Sequence, residues 1–277
     1  GVLQRSAITE KGRESNPEQK PPHLLMMSAT PIPRTLALSV FGDLDVSVIR
    51  TMPAGRKPVI THLAAKNNEQ KVYDFVHREL QAGRQAYFVY PLIDPSDTAA
   101  LASATEMATY LDEQIFPDKT CALIHSRIPE DEQKQIMDSF RSGTIQILVA
   151  TSVVEVGVDV PNATCMVIEH AERFGLSALH QLRGRVGRGS MQSYCFLVFS
   201  DKLTESGKSR LRVMHETTDG FVIAEEDLRL RGPGDIAGIQ QSGYLSFTLA
   251  DPIRDYDILL EARNAAFELL EADSARS

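Results

Sequence analysis

From residue 59 onward the chain alternates short, dense apolar runs with longer stretches where apolar residues recur every three or four positions. The dense runs, at 59–64, 85–90, 121–124, 145–150, 165–168 and 192–200, are too short for helices and are predicted strands. The runs at 145–150 and 165–168 are continuously apolar and β-branched, as in a parallel sheet covered on both faces. The periodic stretches predict helices over 68–82, 100–116, 129–142 and 203–217, and a charged one over 253–272. Gly83 follows the first of these and Gly143 the third, where a chain leaving a helix commonly turns left-handed; Pro129 stands near the third one's start. Strands alternating with helices make βαβ units, so the predicted fold is α/β with a doubly wound parallel sheet.

Upstream the pattern differs. Residues 9–22 are dominated by Pro, Lys, Glu and Asn and read as a solvated loop. An apolar run at 23–27 stops at Ser28-Ala29-Thr30, Pro31 and Pro33 open a predicted helix through residue 41, and a strand-like run follows at 46–49. Pro53-Ala54-Gly55-Arg56-Lys57-Pro58 reads as a linker, and a domain boundary is placed there.

Composition changes this picture little. The 277 residues, 43% of them hydrophobic, allow one large or two modest domains with a sizeable core. No apolar run approaches the roughly 20 residues of a membrane helix. Cys121, Cys165 and Cys195 form no C-x-x-C pair and read as buried reduced thiols of a cytosolic protein. The formal net charge of −8 argues, by itself, against nucleic acid, since duplex binding is driven by phosphate neutralisation. Placement matters more: arginines concentrate at 173–188, 210–212 and 229–231, a basic stripe on an acidic body that is compatible with DNA.

The candidate chemistry falls where a doubly wound sheet gathers ligands, beyond the carboxyl ends of its strands. His125-Ser126-Arg127 follows one strand, Thr151 to Asp159 another, and Gln181-Leu182-Arg183-Gly184-Arg185-Val186-Gly187-Arg188 follows a short helix after a third. Hydroxyls and backbone N–H groups at strand ends suit phosphate contacts, although a hydroxyl there is more often a helix cap. An Asp two residues past Gly157 suits a ribose hydroxyl or an Arg partner. The last segment sets three guanidinium groups close together among glycines, an arrangement suited to a polyphosphate, because Arg stays charged and forks onto phosphate oxygens.

Ser28-Ala29-Thr30, Thr151 to Asp159 and Gln181 to Arg188 resemble, in order and spacing, motifs III, V and VI of superfamily 2 helicases. Met27 to Leu36 resembles the RecG family and its relative, the transcription-repair coupling translocase. Gly42 to Ile49, Pro53-Ala54-Gly55-Arg56, and Asp227-Leu228-Arg229-Leu230-Arg231-Gly232-Pro233-Gly234-Asp235 running on to Gln240-Gln241-Ser242-Gly243 are similar to RecG. That last segment is similar to the TRG element, a helical hairpin and loop that couples ATP hydrolysis to movement on duplex DNA. In one departure, many members carry Arg where this chain has Gln240, so an amide stands in for a phosphate-pairing cation.

The resemblance covers nearly the whole chain and implies a RecA-like second motor domain over 56–200. It further implies a remnant of the first motor domain over 1–55 and the TRG hairpin, loop and C-terminal helix over 201–277. It makes Arg188 the arginine finger on the γ-phosphate of ATP, with Arg185 beside it and Gln181 orienting the nucleotide. Such a finger is worth on the order of 10³ to 10⁵ in rate. Gly157 and Asp159 would approach the ribose. Ser126, Arg127 and Thr151 would contact the DNA backbone, which positions a strand without reading its sequence. Ser28 and Thr30 would couple nucleotide state to DNA contact, with Arg231 and Gln241 transmitting motion in the TRG element. A surface ion pair with Glu225 or Asp227 is the plainer reading of Arg231.

A phosphate-cradling G-x-x-x-x-G-K-[ST] loop is not found: Gly207-Lys208-Ser209 has Lys202 where the first glycine belongs. Asp112-Glu113 and Asp131-Glu132 fall in helical patterns rather than after a strand, so a Mg²⁺-holding acidic pair is not found either, and no metal site is expected. By resemblance, both belong to the first motor domain, and a separate branch-recognising wedge domain is expected elsewhere in the full-length protein. The chain would then be a C-terminal part of an ATP-dependent double-stranded DNA translocase that remodels stalled forks and Holliday junctions, inert alone as an ATPase. Residues 1–22 are expected to pack poorly or to be held by a neighbour, with self-association possible through the truncated face. Three other readings stand: a piece of the transcription-repair coupling factor, a non-catalytic DNA- or partner-binding module, and, last, an RNA helicase second domain, which would lack the tail at 227–243.

Overall fold

The computed structural model describes residues 55–91, 98–151, 159–231 and 255–274, together with Leu25, Met27, Ser47, Ile49 and Thr51; the side chains of 98–103, 231, 256 and 271–274 are excepted. Ser28, Thr30, Gly157, Gln240 and Gln241 lie outside the described residues, as do the run at 23–27 except Leu25 and Met27, the helix expected through residue 41, and residues 1–22.

Six strands form one parallel sheet: β1 (Ile60–Ala65), β2 (Gln85–Tyr90), β3 (Cys121–Ile124), β4 (Ile147–Thr151), β5 (Ala163–Ile168) and β6 (Tyr194–Phe199). Their order is β1-β6-β5-β2-β4-β3, which puts β2 between β5 and β4 and all the carboxyl ends on one edge. The helices are α1 (Glu69–Gln81), α2 (Thr98–Tyr110, running on into a π-turn over Leu111–Ile115), α3 (Glu130–Arg141), α4 (Leu176–Arg183), α5 (Glu205–Glu216), α6 (Gly220–Arg231) and α7 (Tyr256–Ser274).

The runs of consecutive apolar residues are explained by two core layers. Along β2, Tyr87 and Val89 face a layer with Phe140, Leu179, Leu211 and Met214, while Phe88 and Tyr90 face a layer with Val76, Leu80, Leu111 and Phe116. A strand whose side chains alternate into two cores is therefore mostly apolar at consecutive positions. Helix α1 buries Val72, Tyr73, Val76 and Leu80, one face at helical spacing. Gly83 and Gly143 adopt positive φ just beyond α1 and α3, as expected of residues past a helix end. The run at 145–150 becomes strand only at Ile147, because the Ile145 N–H is engaged by the Ser139 carbonyl closing α3.

Two compact units divide the chain. One spans Val48–Leu230, and the other joins Gly1–Ser47 to Arg231–Ser277. The first unit thus takes in residues on both sides of the break expected at 55, and it runs past the division expected at 200. Leu211 and Met214 of α5 and Ile223 of α6 are buried in the sheet's core. In the other unit, α7 exposes Ile258, Leu269 and Leu270 and stacks Arg263 over Phe267 at 5.1 Å.

Candidate functional site

The arginine segment is built by α4 and the turn that leaves it. Leu176, Leu179 and Leu182 anchor α4 in the core, and Gly184 caps its end. Of the three guanidinium groups expected to face a polyphosphate, Arg183 does not. It is buried, and its Nη1 donates to the carbonyls of Met214 at 2.8 Å and Thr217 at 2.9 Å, with Thr61 Oγ1 at 3.4 Å. The last turn of α5 presents unpaired carbonyls and the negative end of a helix dipole, which attract this cation inward.

The remaining two stay half-buried near the surface. The turn between them passes through Gly187 at φ 73°, where a Cβ would lie 2.7 Å from Val59 Cγ2. Gly189 is pressed as closely on the Pro161 carbonyl, at 2.8 Å. Arg56 Nε donates to the Gly187 carbonyl at 2.6 Å, and Gln192 Nε2 donates to Pro58 O at 2.8 Å, so residues 56–60 are stitched along the arginine loop. Arg188 Nε donates to Gly184 O at 3.2 Å and stands 3.8 Å from Asp159 Oδ1, a loose pair near water. Tyr87 of β2 feels the same charges. Burial pushes its phenol up to about 12, Arg185 and Arg188 pull it back, and Asp159 adds to the rise. Arg185, Arg188 and Asp159 therefore share one electrostatic neighbourhood, with Gln181 exposed on α4 nearby in sequence.

The other expected contacts sit at neighbouring strand ends. Ser126 and Arg127 are exposed in the turn after β3, where the His125 carbonyl accepts from Ile128 N at 3.1 Å and His125 Nδ1 from Arg127 N at 3.2 Å. Thr151 closes β4 with its side chain buried, and its hydroxyl has no hydrogen-bond partner among the described residues. Arg231 is the last residue of α6.

A polar cluster at the exits of β1 and β5 was not legible from the chain alone. Glu169 is wholly buried, with Oε2 3.3 Å from Lys66 Nζ, and Lys66 reaches Glu69 at 2.6 Å. The Tyr73 hydroxyl donates to Glu69. Burial pushes the Glu169 carboxyl up to about 7, against the pull of Lys66 and with help from Glu69. Lone charges in strand exits give no signal in sequence; only the sheet order brings them together.

Gly207 and Lys208 form the first turn of α5. Thr204 Oγ1 accepts from Gly207 N at 3.1 Å as a helix cap, and Lys208 pairs with Glu205 at 2.7 Å. No group of three or more His, Cys, Asp or Glu able to hold a metal occurs among the described residues. A hollow of about 610 Å³ lined by Lys71, Asp74, His77 and Phe116 shares no residue with the arginine loop.

Comparison with known proteins agrees with this geometry. Residues 66–190 match the helicase conserved C-terminal domain, and residues 217–277 match domain 3, C-terminal, of the ATP-dependent DNA helicase RecG. The whole chain aligns with the ATP-dependent DNA helicase RecG of Treponema pallidum (strain Nichols), 62% identical over 280 residues and covering 41% of that relative. Along its whole length this chain is similar to RecG. The RecG of Borreliella burgdorferi is 49% identical over 282 residues, covering 99% of this chain and 40% of its own length. Among solved structures, RecG bound to a three-way DNA junction superposes with a TM-score of 0.67 at 47% identity, over 87% of this chain and 32% of that one. The chain thus spans about two fifths of the curated RecG relatives it matches. The RecG match over residues 217–277 also separates it from an RNA helicase second domain.

Proposed function

We propose that this chain is the finger-bearing part of an ATP-dependent RecG translocase acting on branched duplex DNA at stalled forks and Holliday junctions. The observation that carries the reading is the pair of half-buried arginines, Arg185 and Arg188, on a turn fixed by close packing at Gly187. Two cations beside a strand edge, whose carboxylate partner among the described residues is a loose one at 3.8 Å, fit a polyphosphate that arrives from outside. In this reading ATP and Mg²⁺ are held by the first motor domain of the whole protein. Arg188 meets the γ-phosphate, Arg185 supports it, Gln181 orients the nucleotide, and Asp159 with Gly157 approaches the ribose. Developing negative charge then meets a cation already in position, which needs no reorganisation during reaction.

Ser126, Arg127 and Thr151 stand at neighbouring strand ends and are assigned to the DNA backbone; the exposure of Ser126 and Arg127 in the turn after β3 supports that assignment for those two. Ser28 and Thr30 are assigned to coupling, and Arg231 and Gln241 to transmission through the TRG element. The wedge domain of the whole protein is assigned to recognising the branch, a reading supported by the junction named for the solved RecG complex. No helix among the described residues is long and apolar enough to cross a membrane, and we place the protein with its DNA in the cytoplasm.

The test is ATP turnover with branched DNA by three proteins: this chain, the full-length gene product, and full-length Arg188→Ala. Turnover by the full-length protein alone, reduced on the order of 10³-fold or more by the substitution, is expected. Turnover by the isolated chain, or an Arg188→Ala variant as fast as wild type, would overturn the reading.

A further inference from the structure

Arg56 is the one residue of the 53–58 segment whose side chain reaches the arginine loop by a described hydrogen bond. Its Nε donates to the Gly187 carbonyl at 2.6 Å across 131 residues of sequence. That carbonyl belongs to the peptide unit joining Gly187 to Arg188. Because a peptide unit is planar, holding its oxygen fixes the direction of the N–Cα bond from which the Arg188 side chain leaves. Glycine at φ 73° supplies no side chain to hold the turn, and its own backbone is the most permissive in the chain. Val59 packs against the same turn, and Gln192 ties Pro58 to it, so the contact lies in an ordered seam.

We propose that Arg56 is a positioning residue for Arg188, setting the aim of the arginine finger through the Gly187–Arg188 peptide. The inference rests on the reading of Arg188 given above. Among the described residues the Arg56 guanidinium makes no other hydrogen bond or ion pair, so its removal unmakes one contact. A displacement of about 1 Å at a reacting group can cost on the order of 100-fold in rate.

The experiment measures DNA-stimulated ATP turnover of the full-length protein carrying Arg56→Met, Arg56→Lys, Arg188→Ala and the Arg56→Met/Arg188→Ala double substitution. Methionine keeps the aliphatic stem without the donor, and Arg56→Ala replaces it if that variant does not fold. We expect Arg56→Met to lower kcat by roughly tenfold to 100-fold. KM for ATP and affinity for duplex should stay within about twofold, because the contact acts on the transition state and not on ground-state binding. Lysine, which still offers a donor, should recover most of the loss. Since Arg56 acts through Arg188, the double variant should be no slower than Arg188→Ala alone. The inference is overturned if Arg56→Met turns over at the wild-type rate, if its loss multiplies with that of Arg188→Ala, or if lysine is as impaired as methionine. An Arg188→Ala variant of wild-type rate would instead remove the parent reading, so the two failures are distinguishable.

Discussion

Replacing Gly187 by alanine tests whether the arginine turn is as closely packed as its geometry says. At φ 73° an L-residue meets steric strain of roughly 1–2 kcal/mol. The added methyl would lie 2.7 Å from Val59 Cγ2, closer than real Cβ contacts allow. Val59 is β-branched and so has few rotamers with which to retreat. Overpacking of this kind costs about 1–3 kcal/mol. Against that, alanine restricts the unfolded chain and returns about 0.4–1 kcal/mol. The net expectation is a loss of roughly 1–4.6 kcal/mol. Gly83 supplies the control. It shares the backbone conformation, with φ 79°, yet a Cβ there would meet nothing within 4 Å. Gly83→Ala should therefore show the backbone strain alone, less the same unfolded-state return, roughly 0–1.6 kcal/mol. Urea unfolding of the two variants and the parent chain, followed by circular dichroism, reads the difference as a shift in midpoint at unchanged slope. If Gly187→Ala loses no more than Gly83→Ala, the close approach of Val59 is not a constraint, and the account of a pinned finger fails with it.

Two further outcomes follow from the core and the buried cluster. Phe88→Ala, at a wholly buried ring touching Tyr73 and Phe116, should cost about 3–5 kcal/mol in the same urea assay, and a loss below about 1 kcal/mol would contradict the two-layer core. Glu169 has its carboxyl raised from 4.5 to about 7, so the folded chain keeps a proton that the unfolded chain has released; its contribution is fully present below about pH 4.5 and is lost as pH rises through 7. Glu169→Gln, which cannot ionise, should therefore gain on the parent between pH 5 and pH 8 by a few kcal/mol at most, and parallel stability profiles would refute the assignment.

Much of the sheet could be read from the chain because parallel strands buried on both faces leave an unambiguous mark. The runs at 85–90 and 121–124 coincide with β2, which is buried along its whole length and apolar after Gln85, and with the edge strand β3, which is only partly buried. Pro129 and Gly143 bracket α3 for similarly local reasons. The boundary expected at 200 rests on resemblance to a separate element, and two helices beyond it pack on the sheet. What decides a boundary is where Leu211, Met214 and Ile223 bury their side chains, and that is a tertiary fact.

The arginine segment marks the limit more sharply. Arg183, Arg185 and Arg188 are chemically identical and lie within six positions, and nothing local distinguishes a structural arginine from a phosphate-facing one. The distinction comes from α5, which ends over Arg183 and offers it two carbonyls at 2.8 and 2.9 Å. A buried guanidinium without a carboxylate would be costly, but carbonyl dipoles at a helix end meet its donors while leaving the site's net charge positive. Arg183 thereby ties the finger's helix to α5, while Arg56 ties the following turn to the segment that enters the sheet. The loop bearing Arg185 and Arg188 is thus held at both ends by other arginines, Arg183 and Arg56, through backbone carbonyls; on the reading proposed above, that hold is what presents the pair to an anion.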